Sequence, residues 1–484
     1  MPAEQSGADF TLNFTLGAAT CGAPRWRGPP DPGVGAARGY NPVMPTSPAV
    51  LRRALVAATV AATVVVGTAA CAPEAMAPAE APGTVRVPAD AETISAAVEL
   101  VAEGGLILVE PGTYAEQVLI DKPDVTLRGL DRNETIIDAE NLRPYGVVAV
   151  ADGVSIENLT VTGATFYGVL VTGMHDESGP TAHGVDGYSR LDPEQFPPVQ
   201  RFAIDHVTSY NNGLYGLYAF DAQHGVIRDS YASGSADSGI YVGQCRDCDI
   251  LVTGNVAENN AVGFENANAS DSVVVVGNRF SGNRVGMTFL SNYQEAFAPQ
   301  RGNAVAGNLV TGNAATDAPA HAEGGFGVGI GISGGTANVF DRNRIEGNPR
   351  AGVVLSNTED LASLDNLFRG NVIAGNGVGV ANASSPRAAA RGNCLEGDAP
   401  QTLPGDLFAA CAPGVDQPTA DAASLPAPEV PPGVSFLKVA PPPPQPSMDD
   451  PEAPARVLPD VLPTLDLGAI ELPAADFLGE RSRW

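Results

Sequence analysis

Hydrophobic and polar positions alternate most regularly between Asp237 and Asn292, in DSGIYVGQCRDCDILVTGNVAENNAVGFENANASDSVVVVGNRFSGNRVGMTFLSN. Three related segments, GIYV from Gly239, GFEN from Gly263 and GMTF from Gly286, start 24 and 23 residues apart. A period in this range marks stacked repeats. After each glycine the first and third positions are apolar or small (Ile240 and Val242, Phe264 and Asn266, Met287 and Phe289), while the second varies (Tyr241, Glu265, Thr288). A strand with one buried face requires that alternation. Between the strands, GNVAENN and GNRFSGN place Asn255 and Asn260, then Asn278 and Asn283, five residues apart. Each repeat therefore reads strand, Asn-bearing turn, strand, Asn-bearing turn. That is one coil of a right-handed parallel β-helix, an all-β solenoid in which equivalent positions stack and Asn side chains bond along the axis.

The pattern extends in both directions through anchor glycines at Gly146, Gly168, Gly216, Gly239, Gly263, Gly286, Gly329, Gly352 and Gly377. Successive gaps are 22, 48, 23, 24, 23, 43, 23 and 25 residues. The two double gaps mark insertions near 174–200 and 293–325, and the second still holds one coil through Asn308 and Asn313. Asn343 with Asn348 and Asn371 with Asn376 carry the ladder on to Cys394. These signals predict a β-helix domain over 84–411, with about 10–11 coils rising about 4.8 Å each into a stack of roughly 50 Å. At its start, Ile94, Ala97, Val98 and Val101 share one face of a short helix that covers the open end of the stack.

The run DSGIYVGQ followed by GNVAENNAVGFENANAS resembles the bacterial parallel β-helix repeat proteins of the pectate-lyase-like superfamily, including their carbohydrate-binding and sugar-hydrolase repeat group. The resemblance spans roughly residues 84–400. It implies this architecture. It selects no single activity, because such folds carry lyases, hydrolases, epimerases and adhesins alike.

The flanks read differently. Residues 1–43 lack periodicity and are expected to be a start-site misassignment or a disordered leader. From Met44, Arg52 and Arg53 precede an apolar run and then small residues, the layout of a secretory signal over 44–71. Its end, Thr68-Ala69-Ala70-Cys71, resembles a bacterial lipobox, which implies lipidation of Cys71 and anchoring on the outer face of the cell membrane. An ordinary signal peptide, releasing a secreted protein, is the alternative. Residues 72–83 are rich in Ala, Pro and Glu and read as a flexible tether. The tail, 412–484, is Pro-rich and acidic, with APPPPQP from Ala440, and is expected to be disordered or polyproline-like. Its one apolar run, VLPTLDLGAIEL, offers an alternative in which the tail docks on the coils.

Charge narrows the partners. The net charge is −28, from 27 basic and 55 acidic residues, a balance that disfavours nucleic acid and polyanions unless a cation bridges them. Lys122 and Lys438 are the only lysines, so a cationic group in a site is an arginine. Cys245 and Cys248 at a turn, and Cys394 and Cys411 around the last coil, read as two disulfides of an exported chain. For the C-x-x-C pair a redox motif or half a metal site stays open, without the flanking pattern or the second pair that either needs.

Candidate chemistry gathers on the first insertion. Four of the five histidines lie between 175 and 224. His183, Asp186, His206 and His224 are the candidate proton-transfer groups. Tyr188, Arg190, Tyr218, Asp221, Tyr241 and Glu265 are the candidate sugar contacts. Aligned two positions after successive anchors, Leu170, Tyr218, Tyr241, Glu265 and Thr288 would line a shallow outward groove that stacks sugar rings. Turn geometry alone also explains many Asp and His residues in such a fold. Against a calcium-dependent polyuronate lyase there is no dense Asp array and no Lys base, although Arg201, Arg228 and Arg246 are available, and the Arg-x-Lys of a polygalacturonase-type hydrolase is absent. No metal site and no cofactor are assigned, and calcium stays open. The expected role is a monomeric envelope protein that binds a glycan. A carbohydrate-active epimerase, lyase or hydrolase is the alternative. A metal-handling protein with His175 and His224 as ligands, or a purely structural or adhesive rod, are further ones.

Overall fold

The computed structural model describes residues 81–484 other than 178, 181, 182, 185, 186, 189, 190, 323, 399, 428 and 484. The signal segment and Cys71 lie outside the described residues, as do Asp186 and Arg190. Among the described residues the coils build three parallel sheets of 12, 10 and 11 strands. One coil runs from Ile250–Thr253 in the twelve-stranded sheet through Val256–Glu258 in the ten-stranded sheet to Val262–Ser270 in the eleven-stranded sheet. The chain then returns as Val273–Val276, in register on Ile250–Thr253. The fold is a right-handed parallel β-helix, and each strand of the ten-stranded sheet belongs to one complete coil.

Three features of the repeat hold the coils in register. Inward side chains Ile240, Phe264, Met287, Ile330 and Val353 stack in one row of the core and are fully buried. Phe264, Phe289, Phe340 and Phe368 continue as an aromatic stack with centroids 5.8, 5.2 and 5.0 Å apart. At the turns, Asn278 shows the ladder unit: its Nδ2 donates to Val252 O at 2.9 Å and to Asn308 Oδ1 at 2.9 Å, while its Oδ1 accepts from Asn255 N at 3.0 Å. Asn260, Asn283, Asn313 and Asn348 repeat the arrangement at the next turn. A third ladder, Asn303, Asn338, Asn366 and Asn393, closes on Gln417 and has no counterpart in the sequence reading.

The anchor glycines are selected by space. A methyl group on Gly216 would sit 2.5 Å from Gly239 O, and one on Gly286 2.5 Å from Gly329 O, so the seam admits no side chain. The last anchor is corrected. Val353 pairs with Val380, which puts Gly379, not Gly377, above Gly352. The predicted cap is the helix Ile94–Leu100, started by Thr93 Oγ1 accepting from Ala96 N at 3.1 Å, with Ile94, Ala97, Val98 and Val101 all buried. Disulfides join Cys245 to Cys248 and Cys394 to Cys411.

The tail departs from the expectation of disorder. It forms no β-strand, yet it lies against the coils through arginine donors that take its backbone carbonyls. Arg128 Nη1 donates to Pro451 O at 3.2 Å, Arg132 Nη1 to Pro446 O at 2.9 Å, Arg279 Nη1 to Phe477 O at 3.0 Å and Arg344 Nε to Pro473 O at 2.8 Å. Proline has no N–H, so a Pro-rich segment is rich in unpaired carbonyls and suits a partner with surplus donors. The tail thereby lies over part of the ten-stranded sheet, whose Glu258 takes Ser482 Oγ at 2.5 Å.

Candidate functional site

The residues two after each anchor do align. Leu170, Tyr218, Tyr241, Glu265 and Thr288 are consecutive partners on the outer face of the eleven-stranded sheet. They do not form an open groove. Tyr218 and Tyr241 are fully buried, and Glu265 and Thr288 nearly so. Tyr167, Tyr215, Tyr218 and Tyr241 pack into one cluster, with centroids 5.5 Å (Tyr167 to Tyr215), 4.7 Å (Tyr215 to Tyr218) and 4.9 Å (Tyr218 to Tyr241). Leu191 of the first insertion joins this cluster. The second insertion folds back on the same row: Tyr241 Oη donates to Glu295 Oε1 at 2.6 Å, and Ala296 N to Gln244 Oε1 at 2.8 Å. A surface of tyrosines beside long insertions satisfies itself by burying the insertions, which is the reason the predicted groove is filled.

This cover traps carboxyl groups. Ser238 Oγ donates to Glu265 Oε2 at 2.9 Å and to Asp237 Oδ1 at 3.3 Å. Burial, reinforced by Asp237 and Glu295, holds Glu265 well above the usual carboxylate range, and burial pushes Glu295 to about 8. Glu295 is thereby a neutral acid near pH 7. Glu295 and Asp237 escaped the sequence reading because neither occupies a repeat position.

The histidines are not brought together. His206 Nδ1 lies 2.6 Å from Asp205 Oδ1, and Arg228 Nε donates to Asp205 Oδ2 at 2.8 Å, a network at the end of a strand in the twelve-stranded sheet. His224 Nδ1 lies 2.9 Å from Asp249 Oδ2, which also accepts from Leu462 N of the tail. In the strand register His224 falls between Gln223 and Gly225, which face Gln200 and Phe202, so His206 is offset along the sheet by about 16 Å. His183 and Tyr188 pair through their backbones in a small antiparallel hairpin, and their side chains lie outside the described residues. Of the proposed four-residue proton-transfer set, the two members with described side chains, His206 and His224, thus sit in separate networks, and Asp186 lies outside the described residues.

An open cleft of ≈ 470 Å³ lies at the corner where the first insertion returns to the twelve-stranded sheet. Val150, Asp152, Gly173 and His175 line one side, and residues 195–200 the other. Its walls are fixed by backbone bonds: Gly173 N and Val199 N both donate to Asp221 O, at 3.0 and 3.1 Å, and Gln200 N donates to Asp152 Oδ1 at 2.8 Å. Asp221 takes the left-handed conformation, φ 57°, so its backbone can serve both walls. Its side chain is 1% exposed, and its Oδ2 has no hydrogen-bond partner among the described residues. A methyl group on Gly173 would come within 2.7 Å of that oxygen, so the carboxyl stands directly behind the cleft floor. Burial pushes Asp221 to about 7. None of the predicted site residues that are described lines the cleft itself; Asp221 stands behind Gly173, and His175 and the 195–200 segment form the walls.

Comparison with known proteins agrees with the architecture. Residues 111–318 match the profile of the family described as NosD, periplasmic copper-binding protein. No curated protein matches the chain. Similar solved structures include the A-module of the Azotobacter vinelandii mannuronan C-5 epimerase AlgE6, 17% identical over 66% of this chain and 89% of that one, with a TM-score of 0.42. The A-module of AlgE4 from the same organism is 15% identical over 60% and 86%, with a TM-score of 0.37. An alginate lyase from Paenibacillus sp. is 15% identical over 64% and 95%, with a TM-score of 0.30. Likenesses this remote assign no activity. Nor does the donor set here fit copper. Asp205, His206 and Asp229 are the one group of ligand-type atoms within 4.8 Å of one another among the described residues, offering a single imidazole and an Asp205 carboxylate already bonded to Arg228. Copper favours imidazole and sulfur ligands, and the four described cysteines are in disulfides. The chain is thus a disulfide-bonded right-handed parallel β-helix repeat protein, similar over residues 111–318 to the NosD family.

Proposed function

We propose that this protein is a cell-envelope lipoprotein, anchored through Cys71, that holds a polysaccharide segment in the cleft between the 173–175 and 195–200 segments. The supporting observation is the cleft itself: an open, preformed space with a partly buried aromatic wall, Phe196, and polar rim groups from Asp152, His175 and Gln195. Sugar binding needs that combination, an apolar face for the ring and fixed polar groups for the hydroxyls. The protein acts as a monomer, because one coil corner supplies every lining residue.

The test is retention on a panel of bacterial and plant polysaccharides, with and without calcium. His175→Ala combined with Gln195→Ala should lower retention about tenfold, the scale of one or two lost hydrogen bonds. Tyr218→Phe, in the covered cluster, should leave it unchanged. Equal retention by all three proteins would remove the cleft from the account.

A second reading, a carbohydrate-active enzyme, is favoured by Asp221. A buried carboxyl pushed to about 7 and lacking a partner on Oδ2 is poised to accept a proton at neutral pH. Turnover would then rise with pH through about 7 and disappear in Asp221→Asn, whereas simple binding would survive that change.

A further inference from the structure

The chemistry of the cleft wall defines which glycan it accepts, an inference that rests on the binding reading above. Acceptors dominate the lining. Asp152 contributes a carboxylate, and Asp221 stands behind Gly173 with an unpartnered Oδ2. Pro197 and Pro198, as prolines, contribute no N–H groups, and Pro198 O already accepts from Gln200 Nε2 at 3.0 Å. Donors are few. The Gln200 amide is committed to Pro198 O at 3.0 Å and Gln223 Oε1 at 2.8 Å, and His175 Nδ1 lies 3.2 Å from Gly173 O, which leaves the Gln195 amide. None of the lining residues is a lysine or an arginine. Nearby Arg201 is engaged away from the cleft, with Nη1 on Asp124 Oδ1 at 2.8 Å.

We propose that the cleft selects a glycan carrying amino groups, a polymer containing unacetylated amino sugars, in preference to a neutral polymer, and rejects polyuronates. An ammonium group brings donors and positive charge to a wall that carries the Asp152 carboxylate and no cation. A uronate brings acceptors and negative charge to the same wall, inside a chain of net charge −28. Hydroxyls of a neutral sugar satisfy the carbonyls without the Coulomb gain.

The experiment is calorimetric titration of the full-length exported chain with matched hexamers of β-1,4-linked glucosamine, glucose and mannuronate, at mildly acidic pH and low salt. The glucosamine hexamer should bind about tenfold more tightly than the glucose hexamer, and the mannuronate hexamer should show no heat of binding. Asp152→Asn keeps the Oδ1 acceptor that Gln200 N requires and removes the charge. It should lower affinity for the glucosamine hexamer about fivefold more than affinity for the glucose hexamer, so that the amino preference shrinks by that factor. Binding of mannuronate at or above the strength of glucosamine, or an amino preference that persists in Asp152→Asn, overturns the proposed selectivity while the binding reading stands. Absence of binding by all three hexamers overturns both.

Discussion

Asn266 is the residue at which the core contradicts its own pattern. It pairs with Val242 below and Phe289 above, is fully buried, and neither its amide nitrogen nor its oxygen has a hydrogen-bond partner among the described residues. A buried amide in that condition costs about 1–3 kcal/mol. Asn266→Val should therefore raise stability by about 1–2 kcal/mol in chemical denaturation. Asn278 is the converse. Its amide bonds the coils on either side, and Asn278→Ala, stranding Asn255 N and Val252 O, should lower stability by about 2–4 kcal/mol. Glu295 adds a pH dependence. Burial moves its carboxyl from 4.5 to about 8, so the folded chain holds a proton that the unfolded chain releases. Its contribution is intact below pH 4.5 and lost as pH rises towards 8, and Glu295→Gln should flatten the fall in Tm across that window. An unchanged slope in the variant would place the titrating group elsewhere.

At the scale of elements, the tail joins coils far apart in the stack. Arg86 meets Glu452 across 366 residues, and Arg342 Nη1 meets Gly468 O across 126. Solenoid repeats otherwise touch only their neighbours, so such a segment couples coils that would fray independently. A chain ending after Pro432 should retain its circular-dichroism strand signal and lose roughly 5 °C in Tm, with faster hydrogen exchange around Arg128 and Arg132. An unchanged melting curve would show that the docked tail carries no stability. What the sequence reading captured and missed divides along the same line. Coil period, inward rows, the first two Asn ladders and the cap of Ile94–Leu100 follow from local spacing, because each coil repeats the same contact with the next. The buried tyrosine row, the docked tail and the cleft each join segments with no shared period. Tyr241 had the right register and the wrong surroundings: the alternation gave its face, while the insertion that covers that face carries no repeat signal. The two charged histidine networks were misgrouped for a related reason, since closeness in sequence does not report which corner of a coil a residue occupies.

For the whole molecule, the covered faces define where a ligand can enter. The tail lies over part of the ten-stranded sheet, and insertions cover the tyrosine row of the eleven-stranded sheet, while the corner cleft in front of Asp221 is open. A site at such a corner fits a fold whose coils are committed to stacking and whose insertions are free to diversify. Its acidic, donor-poor wall also explains how a chain of net charge −28 can favour one class of polymer over another. The most direct measurement is a hydrogen-exchange footprint of the exported chain with and without a bound glucosamine oligomer. Slowed exchange at residues 150–153, 173–175 and 195–200, with the coils beyond 300 unaffected, is the predicted result. Protection confined to another face, with the cleft segments exchanging as before, would contradict the account.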